Sequence, residues 1–204
     1  MTSCTKKAVE LREFYLNNRE IVFSRISVND MKNKYVGELV LSTEQIKAGV
    51  ALVADKLNQQ FSGEEVVIIS MVPGGILFTA DLVRDLTLDI KMDYVSCPHT
   101  PGDSNNNSNI VYHQNIPVKG KHVVLVDDAI ESGGTMKRVA KYIAEEFGVK
   151  SLSIATLFVK PGRVDIPYPQ YFAYEMENDD MLIGYGLPWQ DKHRNIPFVS
   201  KLIS

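Results

Sequence analysis

Residues 122–135 read HVVLVDDAIESGGT, and the order of chemistries within that stretch decides the architecture. His122 to Val126 is an unbroken β-branched and aliphatic run, the pattern of a strand buried on both faces of a parallel sheet. Such strands present ligand sites at their carboxyl ends. Asp127 and Asp128 follow at once. Two like charges there repel unless cations or hydroxyl donors offset them, and a sugar diol with magnesium would supply both. Glu131 comes next, and then Ser132, Gly133, Gly134 and Thr135 offer small side chains, backbone N–H groups and two hydroxyls. A helix beginning near Met136 would point its positive end outward at that turn. Each half alone reads as a solvated strand end or a capped turn. Joined between a strand and a helix, they read as a cradle for a phosphorylated sugar.

Working outward, helical and alternating patterns succeed one another as an open parallel sheet requires. Ser42 to Gln45 form a capping box that opens an amphipathic helix through Ile46, Val50, Val53 and Leu57 to about Phe61. Val66 to Met71 is a strand ending in a second glycine turn, Val72-Pro73-Gly74-Gly75, with a helix to Leu86 after it. Asp89 to Val95 is the next strand. Residues 98–117, centred on PGDSNNNSN, carry breaker signals and almost no apolar content, so they are expected to form a long loop or exposed excursion. Thr135 to Phe147 reads as a helix closed by Gly148, and Ser151 to Val159 as the strand that completes a doubly wound core. Residues 161–204, with about 15–40, are expected to build a small cap over the strand ends. The whole chain is expected to be one domain with a core of about 40–160 and a mobile loop of about 97–117.

Composition limits the classes of function. The chain has 204 residues, enough for a full core, and a net charge of −3, which pulls it toward neither nucleic acid nor an anionic membrane. Any polyanionic substrate must be held locally. The two cysteines, Cys4 and Cys97, give no disulfide framework and suit a reducing compartment. The sequence shows no membrane-spanning run and no apolar leader at its start, so a cytoplasmic location is expected. The four histidines lack metal spacing and are read as structural or solvated. A nucleophile elbow, a Walker lysine loop and a strand-borne GxGxxG turn are absent from the sequence.

The segment 122–135 resembles the phosphoribosyl pyrophosphate (PRPP) signature of the type I phosphoribosyltransferases. VPGGILFTADLVRDL, IATLFVK and LIGYGLPWQDKHRNIPF are similar to the pyrophosphate turn and purine-binding half of their hypoxanthine-guanine branch. The resemblance covers most of residues 65–204. It implies an open, mostly parallel sheet flanked by helices, and transfer of phosphoribosyl from PRPP to a 6-oxopurine with magnesium. Asp127 and Asp128 would hold the ribose hydroxyls and, through PRPP, the metal. Glu131 to Thr135 would wrap the 5′-phosphate. Val72, Pro73, Gly74, Gly75 and Arg194 would face pyrophosphate, with the Val72-Pro73 bond expected to be cis. Lys160 would donate to the purine's exocyclic oxygen, beside Met181, Leu182 and Trp189. The partners implied are PRPP and a purine base, with assembly as a homodimer or homotetramer.

Several positions depart from the family pattern. Glu131 stands where the family has an aspartate general base, one methylene shorter. Met181 replaces a stacking aromatic, so Trp189 or Tyr185 is expected to stack instead. Pro188 replaces a metal-binding aspartate, Pro73 stands where the family has a lysine, and Ser96-Cys97 replaces a serine-tyrosine pair. These exchanges motivate two alternatives: a PRPP- or nucleotide-sensing protein with little turnover, and a transferase for another base such as xanthine.

Overall fold

The computed structural model describes residues 34–97 and 108–203. The chain divides into two compact units, and nearly all described residues lie in the larger one, Gly37–Leu202. Cys4, the segment 15–33 and residues 98–107 of the expected loop fall outside the described residues.

Five strands build the main sheet: β2 (Glu65–Val72), β3 (Asp89–Ser96), β4 (His122–Ile130), β5 (Ser151–Val159) and β6 (Gln170–Glu175). They lie in the order β3-β2-β4-β5-β6, every pair parallel. Alternate side chains of β4 feed two separate cores, which is why its run is continuously apolar. Val124 and Val126 face one side, packed with α1 (Thr43–Gln60) and α2 (Ile76–Asp85) through Ile46, Val50, Leu57, Phe78 and Leu82. Val123 and Leu125 face the other, packed with Met136, Val139 and Ile143 of α3 (Gly134–Glu146). Each such side chain, fully buried, contributes about 1.5–3 kcal/mol.

The topology itself marks a crevice. From β2 the chain moves outward to β3 and then returns to the other side of β2 as β4, so the winding reverses between β2 and β4. Ligands of open α/β sheets bind beyond the strand ends at such a reversal. Of the two strands that flank it, β2 ends in the glycine turn and β4 carries the acid pair near its end.

The capping box is present: Ser42 Oγ accepts from Gln45 N at 3.2 Å, and Gln45 Oε1 accepts from Ser42 N at 2.9 Å. Three expectations need correction. Strand β4 does not stop at Val126 but continues through the acid pair to Ile130, because β5 supplies partners that far, Ile130 opposite Val159. Helix α3 starts at Gly134, ahead of Met136, since Gly133 at φ +81° makes the turn a side chain would resist. The sheet also does not end at β5. Gln170–Glu175 adds β6 from the stretch assigned to the cap, with Phe172 and Tyr174 half-buried on an edge whose pattern is not plainly alternating. A separate three-stranded sheet has the order β1-β8-β7, from Val36–Leu41, Val199–Leu202 and Leu182–Ile183.

Residues 108–118 are more ordered than an exposed excursion. Val111 bridges Ser96, exchanging backbone hydrogen bonds of 2.8 and 2.9 Å. Asp93, buried in β3, accepts from the Asn115 and Ile116 backbones, the Asn115 amide and the Tyr112 hydroxyl. Burial alone would raise its pKa, but these donors hold the carboxyl below its usual range.

Candidate active site

Gly75 brings β2's turn against β4. A Cβ there would lie 2.7 Å from Val126 O and 2.8 Å from Met71 O, both rigid backbone, so only glycine permits this approach. Gly75 N donates to Met71 O at 2.9 Å, and the Val72-Pro73 bond is cis as expected. The next residue back, Gly74, faces the acid pair: its missing Cβ would sit 3.1 Å from Asp128 Oδ2 and 3.2 Å from Asp127 Oδ1. Glycine turn and carboxylates, distant in sequence, therefore form one wall.

The carboxylates share that wall at a cost. Asp127 Oδ1 accepts from Asp128 N at 2.9 Å, and Asp128 Oδ1 accepts from Ala129 N at 2.8 Å. Burial followed by the charge of Asp128 pushes Asp127 well above the usual carboxylate range. Burial also pushes Asp128 up to about 6, against the opposing pull of its hydrogen bonds and of Arg194. The two carboxyls titrate as one pair, and burial disfavours charging both at once. A ligand offering hydroxyl donors or cationic charge would favour their ionised forms.

Arg194 reaches this wall from the chain's last hairpin. Its Nη1 donates to Gly186 O at 2.6 Å, and its charge favours ionised Asp127 and Asp128. Gly186 in turn adopts φ +104°, and a Cβ on it would lie 2.5 Å from Gly74 O and 2.6 Å from Asp128 Oδ2. So the hairpin, the glycine turn and the acid pair meet at one glycine. Ahead of it Tyr185 is buried, and its hydroxyl donates to Asp81 Oδ2 of α2 at 2.7 Å. That overturns the expectation that Tyr185 could stack on a base: its ring belongs to the core beside Phe78 and Leu82.

Beyond the acid pair, Glu131 stands exposed at the end of β4. Ser132, Gly133, Gly134 and Thr135 enter α3, whose first-turn N–H groups have no acceptor within the helix. The turn is braced from behind by Val164 N, donating to Ser132 O at 2.9 Å. Lys160, at the end of β5, is a buried cation. Its Nζ lies 2.7 Å from Glu131 Oε1 and 3.4 Å from Asp179 Oδ1. The remaining purine-side candidates separate: Met181 is 56% exposed, Leu182 is buried in β7, and Trp189 is half-buried, its indole N–H without an acceptor among the described residues. Among the described residues no group of three His, Cys, Asp or Glu side chains forms a metal cage. No helix among them is long and apolar enough to cross a membrane.

Asp81, Asp93, Asp179 and the contact role of Gly186 escaped sequence reasoning. Asp93 leaves a trace, a carboxylate at an inward position of DIKMDYVS. Asp179 leaves none, since its partner is nineteen residues away on another element.

Comparison with known proteins agrees with this geometry. The phosphoribosyl transferase domain model matches residues 38–191. The hypoxanthine-guanine phosphoribosyltransferase of Streptococcus pneumoniae is 30% identical over 177 residues, covering 85% of this chain and 94% of its own length. The hypoxanthine phosphoribosyltransferase of Salmonella typhimurium is 26% identical over 174 residues, 83% of this chain and 97% of its own. Among solved structures, a Bacillus anthracis hypoxanthine-guanine phosphoribosyltransferase with HEPES in its active site superposes with a TM-score of 0.76 at 29% identity. It covers 84% of this chain and 100% of its own. The sheet order, the acid-pair wall and these likenesses together place the chain in the phosphoribosyl transferase family, on the side of its hypoxanthine and hypoxanthine-guanine enzymes.

Proposed function

We propose that this chain transfers the 5-phosphoribosyl group of PRPP to a 6-oxopurine, hypoxanthine or guanine, in purine salvage, releasing pyrophosphate. The observation that carries the reading is Lys160, a buried donor-only cation 2.7 Å from the Glu131 carboxylate. A 6-oxopurine has an acceptor oxygen for the lysine and, next to it, N7, whose proton Glu131 can take. Adenine offers an amine where the lysine needs an acceptor.

In this reading Asp127 and Asp128 accept the ribose hydroxyls, and the Ser132 to Thr135 turn holds the 5′-phosphate on the α3 N-terminus. The Val72 to Gly75 turn and Arg194 receive pyrophosphate. Met181, Leu182 and Trp189 line the purine. The purine ring nitrogen bonds to C1′ as the C1′–O bond breaks, its electron pair leaving on pyrophosphate while the N7 proton passes to Glu131. The protein supplies orientation and exclusion of water more than covalent chemistry. The donor set fits magnesium: two carboxylates at the glycine turn, with Asp128 Oδ2 not engaged by a backbone N–H, would suit an ion held mainly through PRPP. When bound, the metal neutralises the leaving group's charge. The expected setting is the cytoplasm, as a homodimer or homotetramer.

Purified protein with PRPP and magnesium, offered hypoxanthine, guanine, xanthine, adenine, uracil and orotate in turn, should release pyrophosphate with the first two. Release with adenine but not hypoxanthine would sink the Lys160 assignment. PRPP binding without release for any base would favour the sensing alternative. Glu131→Gln should lower kcat by about 10²-fold or more while sparing PRPP binding; unchanged turnover would put the base elsewhere.

A further inference from the structure

Lys160 has two carboxylate partners, and the three side chains are held very unequally. The lysine side chain is 4% exposed, that of Glu131 56% and that of Asp179 80%. The lysine backbone is pinned on both sides: its N–H donates to Ile130 O at 2.8 Å, and its carbonyl accepts from Arg163 Nη1 at 3.0 Å. The cation is therefore the fixed member, and the carboxylates are the ones able to leave.

Glu131 is also the group asked to take the purine proton. Once it turns to N7 and is neutralised, Lys160 would remain as a buried ammonium facing only a carbonyl oxygen, and a buried charge that loses its partner is strongly disfavoured. A second carboxylate that does not take part in proton transfer removes that problem. Asp179 is placed for it. It approaches Nζ from the segment ahead of β7, whereas Glu131 comes from the end of β4, so one can move without dragging the other. Neighbouring acids have other partners: Asp180 pairs with Lys201 at 3.0 Å, and Glu175 with Arg163 at 3.0 Å.

We propose that Asp179 is the standing counter-ion of Lys160, a positioning residue that keeps the ammonium aimed at the exocyclic oxygen of the base while Glu131 handles the proton. The inference rests on the phosphoribosyl-transfer reading. It assigns a resting pair, Glu131 with Lys160, which an incoming base replaces, and a working pair, Asp179 with Lys160, which persists through transfer. It also makes Asp179 a determinant of 6-oxo over 6-amino selection, acting through the lysine.

The test compares Asp179→Asn, Asp179→Glu and Glu177→Gln, the last an exposed acid in the same segment. Asp179→Asn should raise the KM for hypoxanthine by about 10-fold or more and leave the KM and directly measured affinity for PRPP within about two-fold. Asp179→Glu should restore most of the base affinity, and Glu177→Gln should change neither constant. An unchanged base KM in Asp179→Asn would overturn the proposal. So would an equal loss for PRPP and base, which marks a general structural role, or the same effect from Glu177→Gln, which marks a diffuse field. Failure of the transfer reading itself is separable, because it appears as no pyrophosphate release by the unsubstituted chain, and that result would remove the proposal with it.

Discussion

In the phosphoribosyl-transfer reading, Asp128 serves binding at the expense of stability. With its folded pKa raised to about 6 by burial, against about 3.9 for an unfolded aspartate, the native chain retains a proton that the unfolded chain releases across that window. The native state thus binds more protons there. This contribution to stability is fully present below the unfolded value and is lost as pH rises through about 6, and Asp127, also raised, acts in the same direction. At pH 7.5 Asp128→Asn should therefore raise the unfolding free energy, by an amount on the order of 1–3 kcal/mol, and with it the midpoint, while weakening PRPP binding. PRPP affinity of the unsubstituted chain should also fall as pH drops below about 6, because protonated carboxyls no longer accept from ribose hydroxyls. Thermal unfolding and calorimetric titration across pH 5–8 check both; a lowered midpoint in Asp128→Asn would show that the carboxylate is not a burden.

Among the elements, the turn Gly184-Tyr185-Gly186 carries three consecutive positive φ values, +98°, +48° and +104°. A non-glycine residue accepts such a value only when its surroundings insist, and Tyr185 is held by the core and by Asp81. Gly186→Ala should be severe. The new methyl meets Gly74 O and Asp128 Oδ2, so kcat/KM for PRPP should fall by about 10²-fold or more, with a lowered midpoint. A steady-state assay at varied PRPP checks this, and near-normal kinetics would mean the seam is looser than its geometry. The segment Gly184 to Gly186 was visible in the sequence only as part of LIGYGLPWQDKHRNIPF, through its resemblance to a purine-binding half. That Gly186 touches the acid pair was not, because the contact joins segments 58 residues apart whose closeness is created by the fold and has no local signature.

Across the whole molecule, legibility followed the range of the interactions. Helix α1, with its capping box, β2 and β5 could be read because periodicity and caps are local. The acid pair and the turn proposed to hold PRPP could be picked out because Asp127 to Thr135 lie in one segment. Strand β6 could not, since Gln170–Glu175 is an edge strand stabilised by pairing with β5 rather than by its own alternation. The order of residues 108–118 was equally hidden, because it depends on Asp93, whose buried carboxylate gathers hydrogen bonds from Tyr112, Asn115 and Ile116. Asp93→Ala strands those donors and should cost about 2–4 kcal/mol, with faster amide exchange at Asn115 and Ile116 than at the centre of β4. Hydrogen exchange resolves the two regions; uniform protection in the variant would show that the arm is held by something else.

The meeting of three segments at Gly186 also bears on how this scaffold can be altered. In the proposed reading, the parts that handle sugar and phosphates hang from β2 and β4, and those facing the base hang from β5 and the hairpin that follows β7. The division resembles a socket and an exchangeable cartridge. A cartridge taken from a relative with another base preference would seat without disturbing the socket provided it brings a glycine at 186, the position whose absent side chain makes room for both Gly74 and Asp128.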